Sequence, residues 1–223
     1  MKKLFSILLM VLFTCSMAVA QVSKDQIKER KQMDRYTESR LKDKASKTAR
    51  KQAKKYAKEG WTVAPGHLPL ERQLDRAYMM QYEVGEDGYP LYIYAEAISV
   101  GQVYDAAKMQ ALELAKLQLA GKIETDVTSL IETTAANSQI SADDAVSLVE
   151  TVQASKNLIS KKIGRILTVV EAYRDLPGKK KEVRLMVFYN SKMAMAAAKQ
   201  TLKEQLEEKG NRLHEQLDKV LGF

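Results

Sequence analysis

The chain has 223 residues, 45% of them hydrophobic and 29% charged, with 36 Lys+Arg against 28 Asp+Glu. That length holds one ordinary domain, or one domain plus an extended arm, and the apolar share suffices for a packed core. A single Cys excludes a disulfide framework and a thiolate metal cluster, while a formal charge of +8 points to an anionic partner.

Residues 1–20 read as a secretory signal peptide. Lys2 and Lys3 form a basic start, Leu4 to Phe13 is apolar apart from Ser6, and Ala18-Val19-Ala20 supplies the small residues a signal peptidase needs. Cleavage is expected between Ala20 and Gln21. The apolar run is shorter than the roughly 20 residues that span a bilayer. Cys15 allows a second reading, in which it is lipidated and tethers the chain to a membrane. Thr14 and Phe13 are bulky for such a site and a good Ala-Val-Ala follows, so the Ala20 site is preferred. Either way the chain is expected to be exported, to the periplasm or the outer membrane of a bacterium.

Residues 21–59 form the next segment, a basic helical arm. From Lys24 to Glu59 there is no Gly or Pro, and helix formers dominate. Ile27, Met33, Tyr36, Leu41, Ala45, Ala49, Ala53 and Tyr56 make only a thin stripe, spaced by four from Leu41 to Ala53. Lys47, Arg50, Lys51, Lys54, Lys55 and Lys58 are the candidate contacts to an anionic surface; a plain solvated helix is the simpler reading of the same charges.

Residues 60–190 read as an α+β domain. Gly60 to Gly66 breaks the helix, and Trp61 beside that turn is expected to pack onto the domain. A short amphipathic helix is expected over 70–83, with Leu70, Leu74, Ala77, Tyr78 and Gln81 on one side. The turn at 85–88 lacks most ligand positions of a calcium loop. A first strand runs over 91–100, with Leu91, Ile93, Ala95 and Ala97 on one face. A long helix follows from Tyr104, carrying Ala107, Ala111, Leu114, Ala115, Leu119, Ile123, Val127 and Leu130, with a break or bend expected at Gly121. Ser141 and Asp144 cap the next helix, whose buried side is Ala145, Leu148, Val149, Val152 and Ile159. Strands at 165–173 and 182–189 flank Leu176-Pro177-Gly178-Lys179, which suits a type II turn.

Residues 191–223 form a C-terminal helix with Met195, Ala198, Leu202, Leu206, Leu213, Leu217 and Leu221 in helical period, kinked or parted at Gly210. The order predicts an α+β fold: a small antiparallel sheet with a β-hairpin, long helices packed on one face, and extended helices at both termini.

Ala97-Ile98-Ser99-Val100-Gly101, leading into Tyr104-Asp105-Ala106-Ala107-Lys108-Met109-Gln110-Ala111, is a strand that ends in Gly before an Ala-spaced helix. With Leu114-Ala115, Leu119 to Ile123, Ser155 to Leu158 and the two later strands, this stretch resembles the LPP-type bacterial envelope lipoproteins over residues 90–190. The resemblance implies envelope location and a non-catalytic role, and it carries over no catalytic residue. The chain departs from that pattern in lacking a convincing lipid-attachment cysteine.

Chemistry is otherwise sparse. His67 and His214 are far apart in sequence, so a zinc site has little to build from, and no phosphate-cradle or nucleophile-elbow motif occurs. Neither metal nor cofactor is expected, nor an enzyme. Tyr92 and Tyr94 on the first strand offer a stacking face for a sugar, although a strand face covered by a helix reads the same way. Two functions therefore compete. One is an envelope interaction or scaffold protein, with an envelope protein or an anionic polymer or lipid as partner and peripheral membrane association. The other is a periplasmic small-ligand or glycan binder using the tyrosine face. Nucleic acid is disfavoured by export. The charge is localised: residues 24–59 hold 14 Lys+Arg and 6 Asp+Glu, whereas residues 60–223 hold 20 and 22.

Overall fold

Alternation of small or branched apolar residues with larger ones builds a three-stranded antiparallel sheet. The strands are β1 (Tyr92–Gly101), β2 (Leu167–Leu176) and β3 (Lys180–Asn190), in the order β1-β3-β2. The computed structural model describes residues 28, 31, 44–86, 88–207 and 211–222. They fall into two units, residues 1–44 and 45–223, and the second holds the sheet. Among the described residues of that unit, six helices accompany it: α1 (Lys47–Lys58), α2 (Leu70–Gln81), α3 (Tyr104–Ala136), α4 (Ala142–Lys162), α5 (Ser191–Leu206) and α6 (Asn211–Leu221). This is the expected α+β class.

β1 meets β3 from Tyr92 opposite Asn190 to Gly101 opposite Lys181, and β2 meets β3 from Leu167 opposite Phe188 to Leu176 opposite Lys180. The register slips between Thr168 and Val170, a bulge in β2. Pro177, Gly178 and Lys179 close the hairpin. Gly178 has the positive φ of 77° that a type II turn demands, but Lys179 is left-handed too, so the loop is one residue wider than expected.

Because side chains alternate across a strand, the sheet has two faces and two cores. Ala95, Ala97, Val183, Leu185 and Val187 face the larger core, made with α3 to α6. Val170, Ala172, Met186 and Phe188 face the other, covered by α1 and α2 through Ala49, Ala53, Trp61, Leu74 and Ala77. The long helices do lie on one face; the two twelve-residue helices, which were not expected there, cover the opposite one.

The expected buried set of α3 needs correction at two positions. Seven of its buried residues, Ala107, Ala111, Ala115, Leu119, Ile123, Val127 and Ile131, run four apart, with Ala120 and Thr134 buried beside them. Steps of four overshoot a helical turn by about 40°, so the stripe winds through roughly 240° along the helix. Along its length the helix packs against β1 and β3 and against α4, α5 and α6. Leu114 and Leu130 fall off this winding path and are exposed. Nor does Gly121 break the helix, which is continuous over its 33 residues.

Capping follows the sequence closely. The Ser141 hydroxyl accepts from the Asp144 amide at 3.2 Å and donates to its carboxylate at 2.8 Å, starting α4. Asn190 accepts from the Met193 amide at 3.1 Å and starts α5 directly at the end of β3. The C-terminal segment comprises two helices, with Gly210 outside the described residues. Lys199 and Lys203 both reach Asp218, at 3.0 and 2.8 Å, and tie α6 back onto α5. The compact unit thus starts at Ala45 and includes α5 and α6, so neither the end of the 21–59 stretch nor the 191–223 stretch stands apart from it.

Two glycines separate by what surrounds them. A Cβ on Gly101 would lie 2.7 Å from the Ala107 amide nitrogen, a rigid backbone atom. On Gly121 it would meet only the end of the Lys156 side chain, 3.2 Å from Nζ. Gly121→Ala should therefore stabilise the protein by about 0.5–1 kcal/mol through helix propensity, and Gly101→Ala should destabilise it by about 1–3 kcal/mol through overpacking. Urea denaturation of both variants checks the opposite signs.

The acid limb of stability should also respond to the α5–α6 tie. Hydrogen bonds from Lys203 and then Lys199 hold the Asp218 carboxyl below its ordinary value of 3.8. A depressed folded pKa contributes stability above the unfolded value, and that contribution is lost as pH falls below about 4 through the folded pKa. Asp218→Asn should be less stable than the parent at pH 7 and equal to it at pH 2, as read from urea melts at the two pH values.

Candidate functional site

The small side chains of Ala45, Ala49 and Ala53 are what let α1 lie close to its neighbours; all three are buried. The opposite side is cationic. Taking 100° per residue, Lys47, Arg50, Lys51, Lys54, Lys55 and Lys58 fall within an arc of about 140°, centred opposite the alanine face. All six side chains are exposed, and none forms an ion pair among the described residues. Elsewhere cations are matched with acids: Lys108 with Glu171, Lys156 with Glu124, Lys162 with Glu204, Arg174 with Glu182 and Lys181 with Asp175. The basic face of α1 gathers six cations without such a partner among the described residues on one side of a single helix.

Both ends of α1 are pinned. At the start, the Ser46 hydroxyl accepts from the Ala49 amide and the Ser46 amide donates to Asp75 of α2 at 3.1 Å. At the end, the Trp61 amide donates to the Tyr56 carbonyl at 3.0 Å, and Arg174 donates to the Glu59 carbonyl at 3.1 Å. Lys55 and Lys58 in the last turn complement the negative end of the helix dipole.

A stack of rings and guanidinium groups joins this helix to the sheet. Arg184 of β3 lies 4.7 Å from the Tyr56 ring centre and 5.0 Å from that of Trp61. Arg174 of β2 lies 4.7 Å from the same indole. Arg184 also donates to the Tyr56 hydroxyl at 2.5 Å and pairs with Glu96 of β1 at 2.9 Å. Its Nε is buried without a hydrogen-bond partner, so the ring faces supply part of what water would have given. Trp61, only 4% exposed, packs onto the domain as its place beside a turn suggested.

Tyr92 and Tyr94 lie on the α1–α2 side of the sheet, half-buried. Tyr94 stacks on Phe188 at 5.5 Å, and Tyr92 meets the same ring edge-on at 6.3 Å. Lys122 sits 4.2 Å over the Tyr94 ring and donates to the Tyr94 carbonyl at 2.6 Å. Both rings are already in contact with protein.

A second polar cluster lies at the bulge of β2. Glu171, 7% exposed, accepts from the Tyr104 hydroxyl and pairs with Lys108 at 2.7 Å, while its amide donates to Gln73 at 2.7 Å. Burial, then the hydrogen bond to Glu171, raises the Tyr104 phenol well above its ordinary range. Beside it, His67, Leu68, Gln73, Arg76, Thr168, Val169 and Glu171 line a shallow hollow of about 160 Å³. Sequence reasoning missed this cluster, because its members come from three elements and share no motif.

Cys15, Ala20 and Gln21 lie outside the described residues, as do Ile27, Met33, Tyr36 and Leu41. Among the described residues no group of three or more His, Cys, Asp and Glu is placed to hold a metal ion, and no helix is long and apolar enough to cross a membrane. In comparisons with known proteins, no family model, no curated protein and no solved structure matches this chain.

Removing the Arg184 side chain should loosen α1 from the sheet. Arg184→Ala is expected to cost about 2–3 kcal/mol, below the 3–5 typical of breaking a fully buried pair because this side chain is 19% exposed. Amide hydrogen exchange should show the largest loss of protection in α1.

Proposed function

We propose that the protein is a non-catalytic interaction or scaffold protein of the bacterial envelope, which uses the outer face of α1 to engage an anionic surface or partner. One observation carries the reading. Six exposed cations, none of them paired with an acid among the described residues, are displayed on one side of a helix fixed at both ends. A merely solvated helix needs no such anchoring. Packing against the domain pre-orients the charges, so binding does not carry the cost of ordering a flexible arm.

Export supports the envelope assignment, through the signal-peptide pattern at 1–20 with Ala20 and Gln21 at the cleavage point, or lipidation at Cys15. The resemblance to the LPP-type envelope lipoproteins over 90–190 belongs to the same reading. The glycan-binding alternative draws less support, since Tyr92 and Tyr94 already contact Phe188 and Lys122.

The test is binding of the purified chain to native envelope preparations across a salt series. Binding should weaken steeply with salt, and Lys47→Glu/Lys51→Glu/Lys54→Glu should abolish it while circular dichroism stays unchanged. Salt-insensitive binding, or full retention by the triple variant, would refute the proposal.

A further inference from the structure

The cations of α1 are joined by a second row that the sequence pattern did not single out. On α2, the buried residues Leu70, Gln73, Leu74, Ala77 and Met80 define the inward side. Asp75 reaches toward α1 through the Ser46 amide, which places α1 on one flank of α2. Arg72 and Met79 fall opposite the buried side, while Arg76 lies further round, on the flank away from Asp75 and at the rim of the hollow beside Glu171. Arg76 is exposed and Met79 is 48% exposed. Leu68, 41% exposed, lies just before α2. The helical layer over this face of the sheet, residues 45–81, thus holds eight Lys+Arg against three Asp+Glu. Residues 82–223 hold 18 against 20. Charge is therefore divided between the two sides of the sheet: a cationic layer of α1 and α2, and a slightly acidic body of strands and long helices.

Resting on the reading of α1 given above, we infer that the outward surface of the α1–α2 layer docks flat on an anionic phospholipid bilayer, with Arg76 and Met79 joining the α1 row at the headgroups. Three observations favour a bilayer over a soluble anionic polymer. The cations lie on the convex outer side of a helix, whereas chain-tracking sites are grooves with aromatic stacking partners. Lys47, Lys51, Lys54 and Lys58 run in one line over about 16 Å, and the neighbouring α2 row widens that line into a patch. Exposed Leu68 and Met79 beside the patch add a shallow apolar contact of the kind interfacial helices use.

Co-sedimentation with phosphatidylglycerol/phosphatidylcholine vesicles and with pure phosphatidylcholine vesicles, with dextran sulfate as a soluble polyanion, tests this. The chain should bind the anionic vesicles, not the neutral ones, and more tightly than it binds the polymer. Each neutralised cation should weaken binding about fivefold. Arg76→Ala should therefore lose about fivefold and Arg76→Glu more, with both variants keeping the parent's urea midpoint. Equal binding to neutral vesicles, an unchanged affinity in Arg76→Glu, or preference for the polymer would overturn the inference. If anionic vesicles fail while native envelope still binds through Lys47, Lys51 and Lys54, the bilayer inference falls and the broader reading stands. If envelope binding also survives the α1 triple variant, both fall.

Discussion

The guanidinium of Arg184 sits where three separate parts of the chain meet. It stands on the central strand, pairs with Glu96 on one neighbouring strand, donates to Tyr56 at the end of α1 and lies against Trp61 in the loop beyond. Its position in the register explains why this works. Ala172 and Ile98 are its partners across the sheet, and the small Ala172 leaves room on the β2 side. A lysine could supply the charge but not the planar face that lies against two rings. Without this contact, α1 would rest on the small buried area of Ala49, Ala53 and the preceding Ala45, with the Ser46 and Glu59 hydrogen bonds at its ends. The placement of the cationic face thus depends on a residue of the sheet beneath it.

The same design reconciles two opposed demands on α1. A helix rich in exposed lysines repels itself and gains little from burial. Here the repulsion is accepted on the outer side because the inner side is made of the smallest apolar residue, allowing close approach, and because both ends are hydrogen-bonded to the domain. Arg174 reinforces this by donating to the carbonyl of Glu59, a group that the end of the helix leaves without an intrahelical partner. Charge is displayed where packing has been secured by other residues.

Much of this was legible in the residues, and what was not has identifiable causes. The three strands, the Ser141 cap and the α+β class follow from period, turn residues and capping chemistry, all local signals. The six cations of α1 could be named from the sequence, and so could the alanine spacing behind them. That α1 and α2 cover the second face of the sheet could not, because Ala49 and Ala53 say that something lies close without saying what. Leu114 and Leu130 were assigned to the core of α3 because a single fixed face was assumed, whereas a four-residue repeat winds. Gly121 signalled a bend that does not occur, because one glycine costs a helix only about 1 kcal/mol and the rest of this one is well packed. The Arg184 stack and the Glu171 cluster were invisible because each draws residues from segments tens of positions apart.

That winding stripe on α3 has a consequence for how the molecule holds together over time. At 33 residues the helix is about 50 Å long, well beyond the roughly 33 Å of a ten-residue strand, so one rod reaches from the strands to the long helices. Its buried residues from Ala107 to Ile131 all belong to one continuous core with Val183 and Leu185 of the sheet and Leu148 and Leu202 of the long helices. Fraying from either end is therefore opposed by packing formed at the other. The sheet and the helical bundle thus share a single packed core through this one helix.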